Sequence, residues 1–408
     1  MTHRTDDGLS RRAFLQLAGA APLAAVLPSE PSAPDKAAAA PEAPPAATQV
    51  GTRPLGKTGA TVSRLSLGMM FDTKSNRLLL KQALEWGVGF WDTADCYEGG
   101  ESEEGLGHYF KKFPDDRARV FLATKGDERD PAALTKLLDQ SLTRLGTDHV
   151  DLYYLHSVKK TSELSEEARA WAEAEKKRGR IRLFGFSTHA NMAELLSHAA
   201  PLPWIDAIMF KYSYRLMQDA ALQLAIEACG QAGKGLTVMK TLADGPIRRE
   251  HEEDMRLAGH FLGRGFTPEQ AMVKAVWENR WISSACLRMK NTELLTTFVA
   301  AALDRTSLSA ADVERLHAHA DATRGTFCAG CARHCEPAAG DLPVSDALRC
   351  LMYTRRDGNL ERARPEFLRL PDAARDALAV ADLSGAEAAC PHGLPVAALV
   401  REACERLA

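Results

Sequence analysis

GFWDTA at residues 89–94, VFLATK at 120–125 and VDLYYLH at 150–156 follow one another at intervals of about thirty residues. Each run is short, apolar and rich in aromatic or β-branched side chains, as a strand buried on both faces requires. Between the second and third lies Pro131–Leu145, apolar at helical spacing, with proline where a first turn tolerates it and Gly146 just past the end. Strand, helix, strand at that interval is the unit of a parallel sheet with crossover helices.

Working outward, the same grammar covers 250 residues. VSRLSLG (62–68) precedes these runs, and IRLFGFS (181–187), IDAIMFKYS (205–213), GLTVMKT (235–241) and ISSACLRM (282–289) follow. Amphipathic stretches at Leu78–Trp86, Ser165–Arg178 and Pro268–Glu278 separate them, and Gly179 stands just past another helix end. Eight strand-like runs is the number that closes a (β/α)8 TIM barrel, and the span suits that α/β fold. An open doubly wound sheet would show a G-x-G-x-x-G turn after its first strand, and SRLSLGMMF has none. The expected layout is a signal and linker at residues 1–50, a barrel at 51–305, and a helical, cysteine-rich extension at 306–408.

Composition sets outer bounds. The 408 residues are 45% hydrophobic and 26% charged, with a formal net charge of −3. These averages fit a globular chain and give no basic face for nucleic acid. The first thirty residues carry Arg11 and Arg12 after Ser10, then Phe14, Leu15 and a modest apolar run broken by Pro22. Paired arginines before such a run predict export by the twin-arginine (Tat) route, which carries folded proteins, to a periplasmic or other extracytoplasmic site. The Ala- and Pro-rich tract after it reads as a linker. The run is too short for a stable membrane span once the signal is removed.

In a barrel, chemistry gathers at the carboxyl ends of the strands. The polar residues there are Asp92 and Tyr97 after the GFWDTA run, Lys125 after VFLATK and His156 after VDLYYLH. A phenol titrates near 10, so Tyr97 needs help to exchange a proton near neutrality. The expectation is that Lys125 lowers that pKa, Asp92 holds the lysine, and His156 hydrogen-bonds a carbonyl oxygen. Such a pocket polarises an aldehyde or ketone as hydride arrives at its carbon. Cys96 lies beside it with no evident activating partner.

At these residues the chain resembles the aldo/keto reductase family. FWDTADCY, ATKG and YYLHS match that family's four catalytic positions in order, and RPLGKTG (53–59), GESEEGLG (100–107, with Glu103) and GFSTH add to the likeness, which runs from about Arg53 to Leu303. The resemblance implies a nicotinamide cofactor, NADP(H) in preference to NAD, and a small carbonyl or alcohol substrate. It places Ser187 against the carboxamide and Arg288, Lys290 and Asn291 near the adenosine phosphate. The chain departs from the family at Thr188, where asparagine is usual. It departs again at Met209 and Met239, which stand for a glutamine and an aromatic residue.

CAGCARHCEP sets Cys328, Cys331 and Cys335 at C-x2-C-x3-C spacing, and CPHG supplies Cys390 before Pro391. Three thiols on one short loop with a distant fourth suit a [4Fe–4S] cluster, a structural zinc, or disulfides formed after export. Some aldo/keto reductases end in a ferredoxin-like cysteine segment that this tail resembles. Cys229, Cys286 and Cys350 sit in apolar patterns as small hydrophobes, and His334 and His392 flank the cysteines. Two functions follow: an exported oxidoreductase with a metal-stapled cap, or a barrel kept as an electron-transfer or binding subunit with a redox partner.

Overall fold

The structure, a computed structural model, describes residues 49–242, 251–357 and 360–408. The arginine pair, the apolar run and nearly all of the linker lie outside the described residues, so the export reading is not addressed by them. Among the described residues, no helix is long and apolar enough to cross a membrane.

The chain opens with a hairpin, β1 (Thr52–Pro54) against β2 (Thr61–Ser63). Eight parallel strands then close a barrel: β3 (Leu65–Gly68), β4 (Phe90–Asp92), β5 (Phe121–Gly126), β6 (Val150–Leu155), β7 (Ile181–Thr188), β8 (Ala207–Lys211), β9 (Gly235–Met239) and β10 (Ile282–Leu287). Each pairs with its neighbours in sequence, and β10 returns to β3. The eight predicted runs are these eight strands. The hairpin was not read from sequence, since its strands have three residues each.

Alternation along the strands divides the apolar residues into two cores. Phe90, Ala123, Leu152, Tyr154, Ala207 and Met209 face inward and fill the barrel, with Leu55 and Val62 of the hairpin closing its lower end. The intervening side chains, such as Trp91, Leu122 and Tyr153, face outward and pack under the helices. Each inward series ends at the upper rim: Phe90 leads to Asp92, Ala123 to Lys125, and Leu152 and Tyr154 to His156. Strands β7 and β8 approach so closely that a Cβ on Gly185 would lie 1.8 Å from the Ala207 carbonyl oxygen. Only glycine fits there.

The helices have the ends their sequences promise. Asp130 accepts from the Ala133 N–H ahead of helix Pro131–Leu145, and Gly146 ends that helix in the left-handed region at φ 63°. Thr267 and Gln270 form a reciprocal cap on helix Pro268–Trp277.

Beyond helix Thr292–Leu303 the chain builds a helical extension with its own core. Leu348 and Leu351 of helix Val344–Asp357, Phe367 of helix Leu360–Leu368, and Leu399, Val400 and Leu407 of helix Val396–Leu407 pack together. This extension lies over the upper rim of the barrel. Lys159, after β6, pairs with Asp346, and Asp127, after β5, pairs with Arg369.

Candidate active site

Lys125 and Asp92 form an ion pair at 2.6 Å, with side-chain exposures of 1% and 2%. Lys125 also donates to the Thr93 carbonyl at 2.7 Å and to the Tyr97 hydroxyl at 3.4 Å. Its ammonium stands 4.8 Å from the centre of the Tyr97 ring. Tyr97 is carried on a tight turn after β4, while Asp92 and Lys125 project from β4 and β5 themselves. The second Asp92 oxygen, Oδ2, is buried without a hydrogen-bond partner among the described residues.

The electrostatics correct the sequence expectation for Tyr97. Burial, then the charge of Asp92, raise its phenol pKa well above the ordinary value. The ammonium cannot lower it because the carboxylate 2.6 Å away has already compensated the cation. Burial also raises the Asp92 pKa, against the pull of Lys125. Tyr97 therefore enters the site as an intact O–H donor.

His156 follows β6, and its N–H extends the ladder to the Gly126 carbonyl at 2.9 Å. Its ring meets the Tyr97 ring edge-on at 5.9 Å between centroids. Nδ1 lies 2.7 Å from Asp127 Oδ1 and 3.6 Å from Cys96 Sγ. Burial works against the charged imidazole, but the Asp127 hydrogen bond and charge prevail and lift its pKa to about 9. Asp127 is lowered in return, its burial outweighed by His156 and Arg369. Asp95 joins Cys96, Asp127 and His156 in one group whose donor atoms lie within 4.8 Å of one another. Arg369 makes its ion pair with Asp127 in the same place.

Tyr97 lines three cavities, two of which also hold Asp92 or His156. The larger of these two, 480 Å³, is lined by Asp92, Tyr97, Met209, Met239, Arg288 and Lys290. The smaller, 230 Å³, lies above Tyr97 and His156 under a roof of Arg349, Tyr353, Glu366 and Arg369 from the extension.

Two residues read as cofactor contacts, and the departure at Thr188, make hydrogen bonds within the chain. Ser187 is fully buried at the end of β7, where its hydroxyl accepts from the Ser157 N–H at 3.1 Å. The neighbouring Thr188 donates to the Ala190 carbonyl at 2.7 Å. Asn291 caps helix Thr292–Leu303, accepting from the Leu294 N–H at 2.9 Å, and does not line the larger cavity. Helix capping is a common use of asparagine at such a junction, which a motif alignment does not separate from ligand binding.

Sequence reasoning missed the roof residues, together with Asp127, Lys240 and His189. Asp127 was within reach, two residues past Lys125 on a strand end. The roof was not, because nothing in its sequence marks which helix face meets the barrel.

The cysteine loop is clasped to the rim near the end of β7 and by β8. The Gly330 carbonyl accepts from the Asn191 N–H at 2.7 Å, and Asn191 Oδ1 accepts from the Arg333 N–H at 2.9 Å. Gly330 sits at φ 89°, where a Cβ would come within 2.3 Å of the His189 carbonyl oxygen. Lys211, buried at the end of β8, donates to the Cys328 carbonyl and lies 4.3 Å from the Phe327 ring centre. All nine cysteines are free. Burial, followed by mutual repulsion, raises Cys331 to about 11, and burial with the charges of Cys328, Glu336 and Cys331 raises Cys335 to about 12.

A parallel eight-stranded barrel with a buried lysine–carboxylate pair, a phenol and an imidazole on its upper rim is the arrangement of a barrel oxidoreductase. The comparisons agree. The profile of the Aldo/keto reductase family matches residues 54–280, and the chain belongs to that family. It is 30% identical over 216 residues to the uncharacterized oxidoreductase YrpG of Bacillus subtilis, covering 47% of this chain and 66% of that protein. Aldo-keto reductase yakc [NADP(+)] of Schizosaccharomyces pombe is 33% identical over 152 residues, 34% of this chain and 44% of its own length. The holo form of aldo-keto reductase AKR11C1 from Bacillus halodurans superposes with a TM-score of 0.56 at 21% identity, over 66% of this chain and 96% of that one, a likeness of fold. The chain thus spans two thirds or less of the length of these two sequence relatives.

Proposed function

We propose that the protein interconverts a small carbonyl compound and its alcohol with NADP(H), and that its extension carries a [4Fe–4S] cluster. The observation that carries the first part is the convergence of Lys125, Asp92, Tyr97 and His156 on the upper rim. The nicotinamide, when bound, supplies or accepts the hydride. Arg288 and Lys290 are suited to its phosphates, since both line the 480 Å³ cavity that also holds Asp92 and Tyr97. In the reducing direction Tyr97 gives its proton to the carbonyl oxygen. The Asp92–Lys125 pair orients the phenol through the 3.4 Å contact. With Nδ1 held by Asp127, His156 keeps its other ring nitrogen for the same oxygen, and its raised pKa leaves it charged to stabilise developing negative charge. The NADP choice is supported by the name of the Schizosaccharomyces pombe relative, which carries NADP(+), and by the two cations.

The cysteine segment supports a cluster over zinc. Three thiols at C-x2-C-x3-C spacing, with a distant fourth before a proline, suit the corners of a cubane, where each cysteine binds a different iron. The paired arginines support export with such groups already loaded.

Tyr97→Phe is the decisive test of the chemistry. Aldehyde-dependent NADPH oxidation falls at least ~100-fold while NADPH still quenches tryptophan fluorescence. Unchanged turnover removes Tyr97 from the reaction. Anaerobically purified protein should contain iron and sulfide in equal amounts; zinc without iron ends the cluster reading. A fusion of residues 1–50 to a folded reporter should stop being exported when Arg11 and Arg12 become lysine, and export that persists assigns another route.

A further inference from the structure

The 230 Å³ cavity has more cationic than anionic walls. Arg129, Lys240, Arg349, Arg369 and the charged His156 face it, against Asp127, Asp346 and Glu366. Two of its wall residues, Ser157 at φ 56° and Lys240 at φ 59°, hold left-handed backbone that side chains other than glycine seldom adopt. Strain of that kind persists where the surroundings enforce it, and it gathers at ligand-holding positions. Lys240 follows β9 directly, and its ammonium stands 4.6 Å from the centre of the Tyr353 ring in the roof. Arg349 donates to the Tyr353 hydroxyl at 3.2 Å, so cation, ring and guanidinium form one assembly.

His189 reports the field. Burial, then the positive charges of Arg349, Lys240, His156 and Lys211, hold its imidazole far below the ordinary value. Its Nε2 is buried without a hydrogen-bond partner among the described residues, and the residue lines the cavity. A neutral imidazole offers one N–H, and an orphaned polar atom in a pocket calls for a partner that the protein does not supply.

We infer that the second reactant is a small oxo compound, or its alcohol, that carries an anionic oxygen group. Its carbonyl lies on Tyr97 and His156, and its carboxylate or phosphate faces Lys240, Arg349 and His189. This rests on the carbonyl–alcohol reading and adds the substrate class to it. The extension, through Arg349 and Tyr353, supplies the selectivity that the barrel rim alone lacks.

The experiment compares matched pairs on the full-length protein with NADPH at low salt. One pair is 4-oxobutanoate and butanal, and the other is glyceraldehyde 3-phosphate and glyceraldehyde. At least a tenfold higher kcat/KM for the charged member is expected in one pair, which also tells carboxylate from phosphate. In Lys240→Met that ratio should fall toward one. Arg349 pairs with Asp346 and Glu366, so its replacement would break those contacts as well. Equal or higher kcat/KM for both neutral members overturns the inference. If no compound is reduced, the carbonyl reading fails, and calorimetry on the alcohols decides the pocket. 4-Hydroxybutanoate or glycerol 3-phosphate binding more tightly than butan-1-ol or glycerol, with the difference lost in Lys240→Met, upholds the anion site. Equal binding refutes it.

Discussion

Asp92→Asn leaves the Lys125 ammonium 1% exposed with a carbonyl and a phenol as its neighbours and no countercharge. Removing one member of a buried ion pair costs about 3–5 kcal/mol, because the remaining charge stays desolvated. For a folded unit of roughly 360 residues the unfolding entropy is about 0.76 kcal/mol/K, so the midpoint should fall by about 4–7 °C. The same change acts on the chemistry. Asp92 is one cause of the raised Tyr97 pKa, and without it the uncompensated ammonium stabilises the phenolate. Reduction needs the protonated phenol, so its rate is retained below the Tyr97 pKa and lost above it. In Asp92→Asn this alkaline limit moves to lower pH. Differential scanning fluorimetry reads the first effect and a pH–rate profile for aldehyde reduction the second. The double variant Asp92→Asn, Lys125→Met should regain most of the midpoint and no activity. A midpoint within a degree of the parent, with the alkaline limit unmoved, would refute the claim that this pair is buried and sets the phenol.

Other outcomes follow from particular contacts. The His156 pKa rises from 6.5 to about 9 on folding, so its contribution is complete below pH 6.5 and is lost as pH climbs through 9. It is on the order of 3 kcal/mol. Urea midpoints at pH 7 and pH 10 should therefore differ less in His156→Gln than in the parent, and an identical difference counts against the Asp127 pairing. Gly185→Ala forces a Cβ to 1.8 Å from the Ala207 oxygen, and a loss of about 3 kcal/mol or more is expected in urea unfolding. Gly330→Ala meets both φ 89° and the His189 carbonyl, so the cysteine loop should loosen. Limited proteolysis should then cut near residues 305–310 faster while the barrel fragment survives; cleavage at the parental rate would deny the clasp its role.

The barrel was legible because its strands are buried on both faces and stand out as continuous apolar runs between amphipathic helices. Asp92, Lys125 and His156 were legible for a related reason: each continues the inward parity of a strand, so a polar residue there interrupts an apolar series. The hairpin was too short to carry any periodicity. Charge balance was not legible either. The sequence shows Lys125 and Tyr97 near each other in order but not that Tyr97 is buried beside a lysine already paired with Asp92 at 2.6 Å, and burial, followed by the Asp92 charge, reverses the direction of the phenol's shift. Asn291 illustrates a different limit, since an asparagine before a helix reads equally as ligand or cap until the Leu294 N–H is located. The roof depended on tertiary docking of a separate core. Its arginines looked like ordinary solvated charges on amphipathic helices.

That separate core also orders events during synthesis. The barrel is complete at Leu303, before the helices of the extension are made, and domains emerging from the ribosome fold in sequence from the amino terminus. A chain made only this far therefore owns the rim groups before it owns a ceiling. Until the helices of the extension emerge and dock, Arg349, Tyr353, Glu366 and Arg369 do not stand over Tyr97 and His156, and water reaches those two freely. The groups at the rim are made first, and their enclosure comes later in synthesis.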